Sequence, residues 1–173
     1  MTAIERTPQE RAARRPSVWR QALMLPAFLA LVAFVGWLAA SWTSPGLETW
    51  YAQLEKPAWT PPDRAFPIVW SVLYLLMAAA AWQTWRKAPE RSSWPMFAFF
   101  VQLALNGVWT YFFFAMANAT LAFVNILALL LAILATIVAF AQISRAAAWM
   151  MAPYAAWVAY AATLNAAIVE MNF

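Results

Sequence analysis

Three short series of residues carry the chemistry open to this chain. Phe66, Trp70, Tyr74 and Met77 form one, Gln102, Asn106, Trp109 and Phe113 a second, and Tyr154, Trp157, Ala161 and Asn165 a third. Each recurs at intervals of three or four residues, the spacing that stacks side chains on one face of a helix. What they offer is ring stacking and neutral hydrogen bonding. Two readings of the amides stay open. Gln102, Asn106 and Asn165 can bond across helices as structural glue, because an amide in an apolar interior must find a partner. They can equally be the few polar anchors of an otherwise apolar small-molecule pocket.

The tryptophans, twelve in all, divide by position. Trp19, Trp42, Trp82, Trp85, Trp94 and Trp149 fall near the ends of apolar stretches, as the aromatic belts of membrane proteins do. Trp109 and Trp157 fall inside such stretches, and Trp70 lies early in one. Large rings inside a helix bundle suit a large flat ligand held by stacking. A haem would have to accept a Tyr or Met ligand, since the chain has no His and no Cys, the usual axial donors being absent. A metal-free tetrapyrrole fits better.

Composition then sets the elements that must position these groups. The chain has 173 residues, 65% hydrophobic and 10% charged, against about 45–50% and about 25% in a soluble domain. It is therefore an all-α integral membrane protein. The missing His and Cys remove the commonest general base, metal ligands and thiol nucleophile, and three glycines argue against glycine-rich phosphate loops. No paired carboxylates or Ser–His set stands in their place, so conventional hydrolytic or metal-dependent catalysis has no machinery, no metal site is expected and no cofactor is required. The net charge of +4 comes largely from Arg6, Arg11, Arg14, Arg15 and Arg20. That is a short basic tail suited to lipid headgroups and topogenesis, not a nucleic-acid face.

Charge-free stretches, read against about 20 residues per span, place five helices at about 21–42, 66–85, 95–116, 119–142 and 147–169 of a membrane domain covering 21–170, behind a tail at 1–20. With five spans, Arg6, Arg11, Arg14, Arg15, Arg20, Arg86, Lys87, Arg91 and Arg145 share one side, against Lys56 and Arg64 on the other. The positive-inside bias predicts a cytoplasmic N-terminus, an outside C-terminus and a bacterial cytoplasmic membrane. No charged residue lies deep in a span, which disfavours ion-coupled transport. The long connection, about Thr43 to Arg64, holds Pro45, Pro57, Pro61 and Pro62 with Trp50, Tyr51 and Trp59. Its prolines make it stiff, and long ordered loops are frequently lids.

The run Trp50-Tyr51-Ala52-Gln53-Leu54-Glu55-Lys56-Pro57-Ala58-Trp59-Thr60-Pro61-Pro62 resembles the first-loop signature of the TspO/MBR family of tryptophan-rich sensory and translocator proteins, also called peripheral benzodiazepine receptors. Phe66-Pro67 with Trp70-Ser71-Val72-Leu73-Tyr74, Gln102-Leu103-Ala104-Leu105-Asn106 with Trp109, and Pro153-Tyr154 with Trp157 and Leu164-Asn165 follow in the family's order. The resemblance implies five helices, a homodimer in many members, and a pocket roofed by the first loop that binds porphyrins. In animal relatives it implies cholesterol and benzodiazepine-site drugs as well. It implies that Trp50 and Trp157 match tryptophans tied to porphyrin binding and light-dependent breakdown, and that Tyr74, Asn106 and Trp109 line the pocket. Departures are Tyr111 where relatives often carry proline, implying a different bend in the third helix, and Asn125 where relatives often carry an acid. The C-terminal cholesterol motif of animal members is missing.

The expectation is therefore a membrane receptor or sensor for tetrapyrroles such as protoporphyrin IX, or another flat lipophilic small molecule. Trp50, Trp70, Tyr74, Asn106, Trp109, Phe113, Trp157 and Asn165 would be its ligand-binding residues. Light-dependent porphyrin degradation through Trp50 and Trp157 and transport of porphyrin or other lipophiles are the alternatives. Gly36-x3-Ala40, Ala128-x3-Ala132 and Ala135-x3-Ala139 are small-xxx-small patterns consistent with a homodimer.

Overall fold

A computed structural model of the chain describes residues 16–173; Arg6, Arg11, Arg14 and Arg15 of the expected tail lie outside them. Among the described residues the fold is entirely helical, with five helices long and apolar enough to cross a membrane. They are α1 (Val18–Glu48), α2 (Ala65–Lys87), α3 (Ser93–Thr110, continued by a π-helical turn, Tyr111–Ala115), α4 (Ala119–Ala141) and α5 (Arg145–Asn172). Helices satisfy every backbone donor and acceptor within the segment, which hydrocarbon demands.

The first helix departs most from expectation. It starts within the expected tail, where the Ser17 hydroxyl accepts from Arg20 N at 3.4 Å, and runs past Trp42 to Glu48, carrying Pro45 inside it. The long connection is thus shorter than expected. Proline removes only one N–H, and helices near a membrane surface tolerate it when neighbours compensate. Beside it, Gly46 packs so closely on the π-turn that a Cβ would lie 2.9 Å from the Phe114 carbonyl oxygen. The other helices end within a few residues of their expected bounds, and α5 continues to Asn172.

At Tyr111 the hydrogen bonding of α3 widens: Met116 N donates to Tyr111 O at 2.9 Å, five residues back. The turn into α4 passes through Ala117 at φ 50°, a left-handed conformation that costs a non-glycine residue roughly 1–2 kcal/mol. Asn118 closes the turn by capping α4, its Oδ1 accepting from Leu121 N at 2.8 Å.

Packing is uneven along the bundle. At the end away from the loop, α2–α5 close around Met77, Ala81, Phe99, Leu103, Ile133, Phe140, Met151 and Tyr154. Alanines there let the backbones approach, as membrane helices need when van der Waals packing replaces the hydrophobic drive. At the loop end a smaller cluster of Phe113, Ala119, Ala122 and Ile168 is packed by Trp50, Tyr51 and Leu54. Between the two lies a cavity.

Candidate functional site

The cavity has a volume of about 860 Å³, within the roughly 300–1,000 Å³ of small-molecule sites. α1, α2, α3 and α5 form its walls and the loop its roof; α4 contributes no wall residue. Trp70 and Tyr74 come from α2, Asn106, Trp109 and Phe113 from α3, and Trp157 and Asn165 from α5. The helical spacing of each series puts three of its four members on the cavity wall, while Met77, Gln102 and Tyr154 are buried outside it.

Two hydrogen-bond chains cross these walls. Tyr74 OH donates to Asn106 Oδ1 at 2.8 Å, and Asn106 Nδ2 donates to Tyr154 OH at 3.2 Å, tying α2, α3 and α5 together. Trp109 Nε1 donates to Asn165 Oδ1 at 3.1 Å, and Asn165 Nδ2 donates to Ala119 O at 2.9 Å, tying α3, α5 and the start of α4. The amides are therefore interhelical bonds and cavity wall at once. Asn125 donates from Nδ2 to Leu105 O at 3.0 Å. Gln102 is different. It is fully buried, and neither its Nε2 nor its Oε1 has a partner, so the expectation that it bonds across helices fails. It is also absent from the cavity wall.

The rings are held by one another. Trp109 stacks on Phe113 with centroids 5.2 Å apart and planes at 21°. Phe66 meets Trp157 edge-on at 5.8 Å, and Trp70 lies against Tyr74 at 5.5 Å. Edge-on and offset rings at such distances add stability beyond their burial. Trp50 does not reach the wall. It packs edge-on against Phe113 at 4.9 Å, one ring behind the cavity, and its neighbour Tyr51 lines the roof instead. The reason is the short 3₁₀ turn at Tyr51–Gln53, which turns these adjacent side chains in different directions.

Sequence reasoning also missed Asp63, the one charged wall residue among those described, and the whole α1 wall. Burial, and then the negative charge of Asp63, raise the Tyr51 phenol above its ordinary pKa, so it stands in the roof as a neutral donor. Lys56 lies 4.4 Å from the centre of the Tyr51 ring, a cation–π distance. Gly36 and Ala40, expected in a helix–helix seam, line the cavity. A Cβ on Gly36 would come within 3.1 Å of the Tyr74 ring. A lone glycine and scattered alanines in an apolar run carry no signal that would have marked this face.

The loop is fastened to α5 at two points. Glu55 N donates to Asn172 Oδ1 at 2.9 Å and Asn172 Nδ2 returns a bond to Glu55 O at 3.0 Å. Further along, Tyr160 OH donates to Trp59 O at 2.7 Å.

Comparison with known proteins agrees with this architecture. The profile of the TspO/MBR family matches residues 27–171. The chain is 34% identical over 157 residues to the tryptophan-rich protein TspO of Chlorobaculum tepidum, covering 88% of this chain and 98% of that protein. It is 35% identical over 150 residues to the TspO of Archaeoglobus fulgidus, covering 87% and 97%. Against the translocator protein of Homo sapiens it is 37% identical over 126 residues, covering 71% and 75%.

Proposed function

This chain belongs to the TspO/MBR family and is a multi-pass integral membrane protein, and from that premise we propose that it is a receptor or sensor that binds a tetrapyrrole, protoporphyrin IX being the type ligand, inside the bundle. The observation that carries the reading is an apolar cavity of about 860 Å³ whose wall includes Trp70, Tyr74, Asn106, Trp109 and Trp157. Flat rings would stack on Trp157 and on the Trp109–Phe113 pair. Tyr74 and Asn106, bonded to each other, and Asn165, bonded to Trp109, would hydrogen-bond the ligand with little reorganisation. Lys56, over the Tyr51 ring in the roof, offers the cation that carboxylate substituents would seek. Charge bias supports a cytoplasmic N-terminus and an outside C-terminus, and a bacterial cytoplasmic membrane is the setting proposed with them. Ala128 and Ala135, exposed on α4 away from the cavity, support a homodimer seam there.

The test is titration of the detergent-solubilised protein with protoporphyrin IX in the dark, read by tryptophan fluorescence. Saturable quenching weakened several-fold in Trp157→Phe, and absent in an unrelated membrane protein, is expected. Linear quenching equal to the control would sink the reading.

One observation keeps light-dependent porphyrin breakdown as a second reading. Trp50, Phe113 and Trp109 form a continuous ring series leading from the loop to the cavity, and Trp157 lies in its wall. Loss of porphyrin absorbance under illumination, abolished in the Trp50→Phe, Trp157→Phe double variant, is its signature.

A further inference from the structure

The loop roofs the aqueous end of the cavity, and on its flank several lining residues of α1 and α2 are exposed at mid-span. α1 is the least anchored span; its buried residues are Phe28, Val32 and Gly46. Between Val32 and Gly46 it leans over the cavity. Its cavity-lining edge ends at Ala33, Ala40 and Ser44, and the α2 edge ends at Ser71 and Leu75. All five are exposed.

Helical geometry shows that these edges face each other. On α1, Gly46 packs against Phe114 of the π-turn and Val35 lies opposite Gly107 of α3. Ala40 and Ser44 lie on the other side of α1, towards α2. On α2, Phe66 turns to Trp157 of α5 and Leu73 is buried in the core, so Ser71 and Leu75 are on the side towards α1. Gly36 meets Tyr74, and Ala40 and Ser71 stand one turn further along each antiparallel helix.

These rims are also chemically suited to hydrocarbon. Ser44 Oγ donates to Ala40 O at 3.1 Å and Ser71 Oγ to Pro67 O at 2.8 Å. Each hydroxyl is spent on its own helix, so neither rim aims a free donor at the bilayer, where an unpaired one is costly. The aqueous end, in contrast, is roofed by a loop tied to α5 through Asn172 and Tyr160.

We propose that the cavity is loaded laterally from the bilayer, through the gap between α1 and α2, by a flat lipophile already dissolved in the membrane. This rests on the reading of the cavity as a ligand site. The gap then sets the rate of binding, while the α3 and α5 wall sets its strength.

The chain has no cysteine, so an Ala40→Cys, Ser71→Cys pair can be bridged by a reducible bis-maleimide without background. Proteoliposomes preloaded with protoporphyrin IX-free lipid are mixed with porphyrin-containing vesicles in the dark, and tryptophan quenching is followed over time. Bridging should slow association by about tenfold or more relative to the same protein unbridged, and reduction should restore it, while the saturating amplitude is kept. Asn172→Ala, which frees the roof, should leave the rate within about twofold. A bridged protein that binds as fast as its reduced form overturns the lateral route, whatever Asn172→Ala does. A bridge without effect combined with acceleration in Asn172→Ala assigns loading to the loop. Absence of saturable quenching in the unsubstituted protein instead refutes the ligand site itself, and the lateral route with it.

Discussion

α3 and α5 present the cavity with side chains bonded to one another, whereas α1 presents it with Gly36, Ala40 and hydroxyls bonded to α1 itself. The first wall is cross-linked: Asn106 joins Tyr74 to Tyr154, and Asn165 joins Trp109 to Ala119. The second is made of small side chains on a helix with few buried residues. Amide bonds in a low-dielectric interior have no water to replace them, so removing one partner strands the others. Small residues on α1 hold nothing in place, and their contribution is space. One wall defines shape and the other leaves room, which is the division a site needs when its ligand must be both gripped and admitted.

The comparison breaks first at Asn165. Asn165→Leu removes the acceptor of the Trp109 indole and the donor to Ala119 O, and should cost about 2–4 kcal/mol, seen as earlier unfolding in detergent. A loss no larger than that of a lipid-facing substitution such as Val138→Ala would mean the wall is not cross-linked in the sense argued.

A smaller effect of different kind is expected at Gly36. Gly36→Ala gains helix propensity of up to about 1 kcal/mol but brings its Cβ to 3.1 Å from the Tyr74 ring. Stability should move by less than about 1 kcal/mol, while porphyrin quenching weakens because Tyr74 must shift from Asn106. Unchanged quenching would uncouple α1 from the polar wall.

The smallest effect is expected at Gln102, whose amide is buried without partners. Gln102→Met keeps the length and removes the stranded polar atoms, so stability should stay level or rise by about 1–2 kcal/mol. A marked loss would show that this amide is bonded after all, through a buried water.

The five spans were legible in the sequence because transfer of a segment into a bilayer depends on its own composition. Charge-free stretches of sufficient length leave helix as the only solution for the backbone. The periodic faces of α2, α3 and α5 were legible for the same local reason, since spacing alone puts Trp70 with Tyr74, Asn106 with Trp109, and Trp157 with Asn165 on shared faces. Nothing local distinguished Trp50 from Tyr51, or told that Pro45 would lie inside α1. Those outcomes depend on Phe113 filling the space that Trp50 packs against and on Phe114 receiving Gly46. Only the tertiary structure turned Gly36 and Ala40 towards a cavity, left Gln102 without a partner and set exposed residues of α1 and α2 along the cavity's flank. The rotation of a helix about its axis, and the partner of each polar group, are decided by contacts between segments far apart in the chain, and no single segment encodes them.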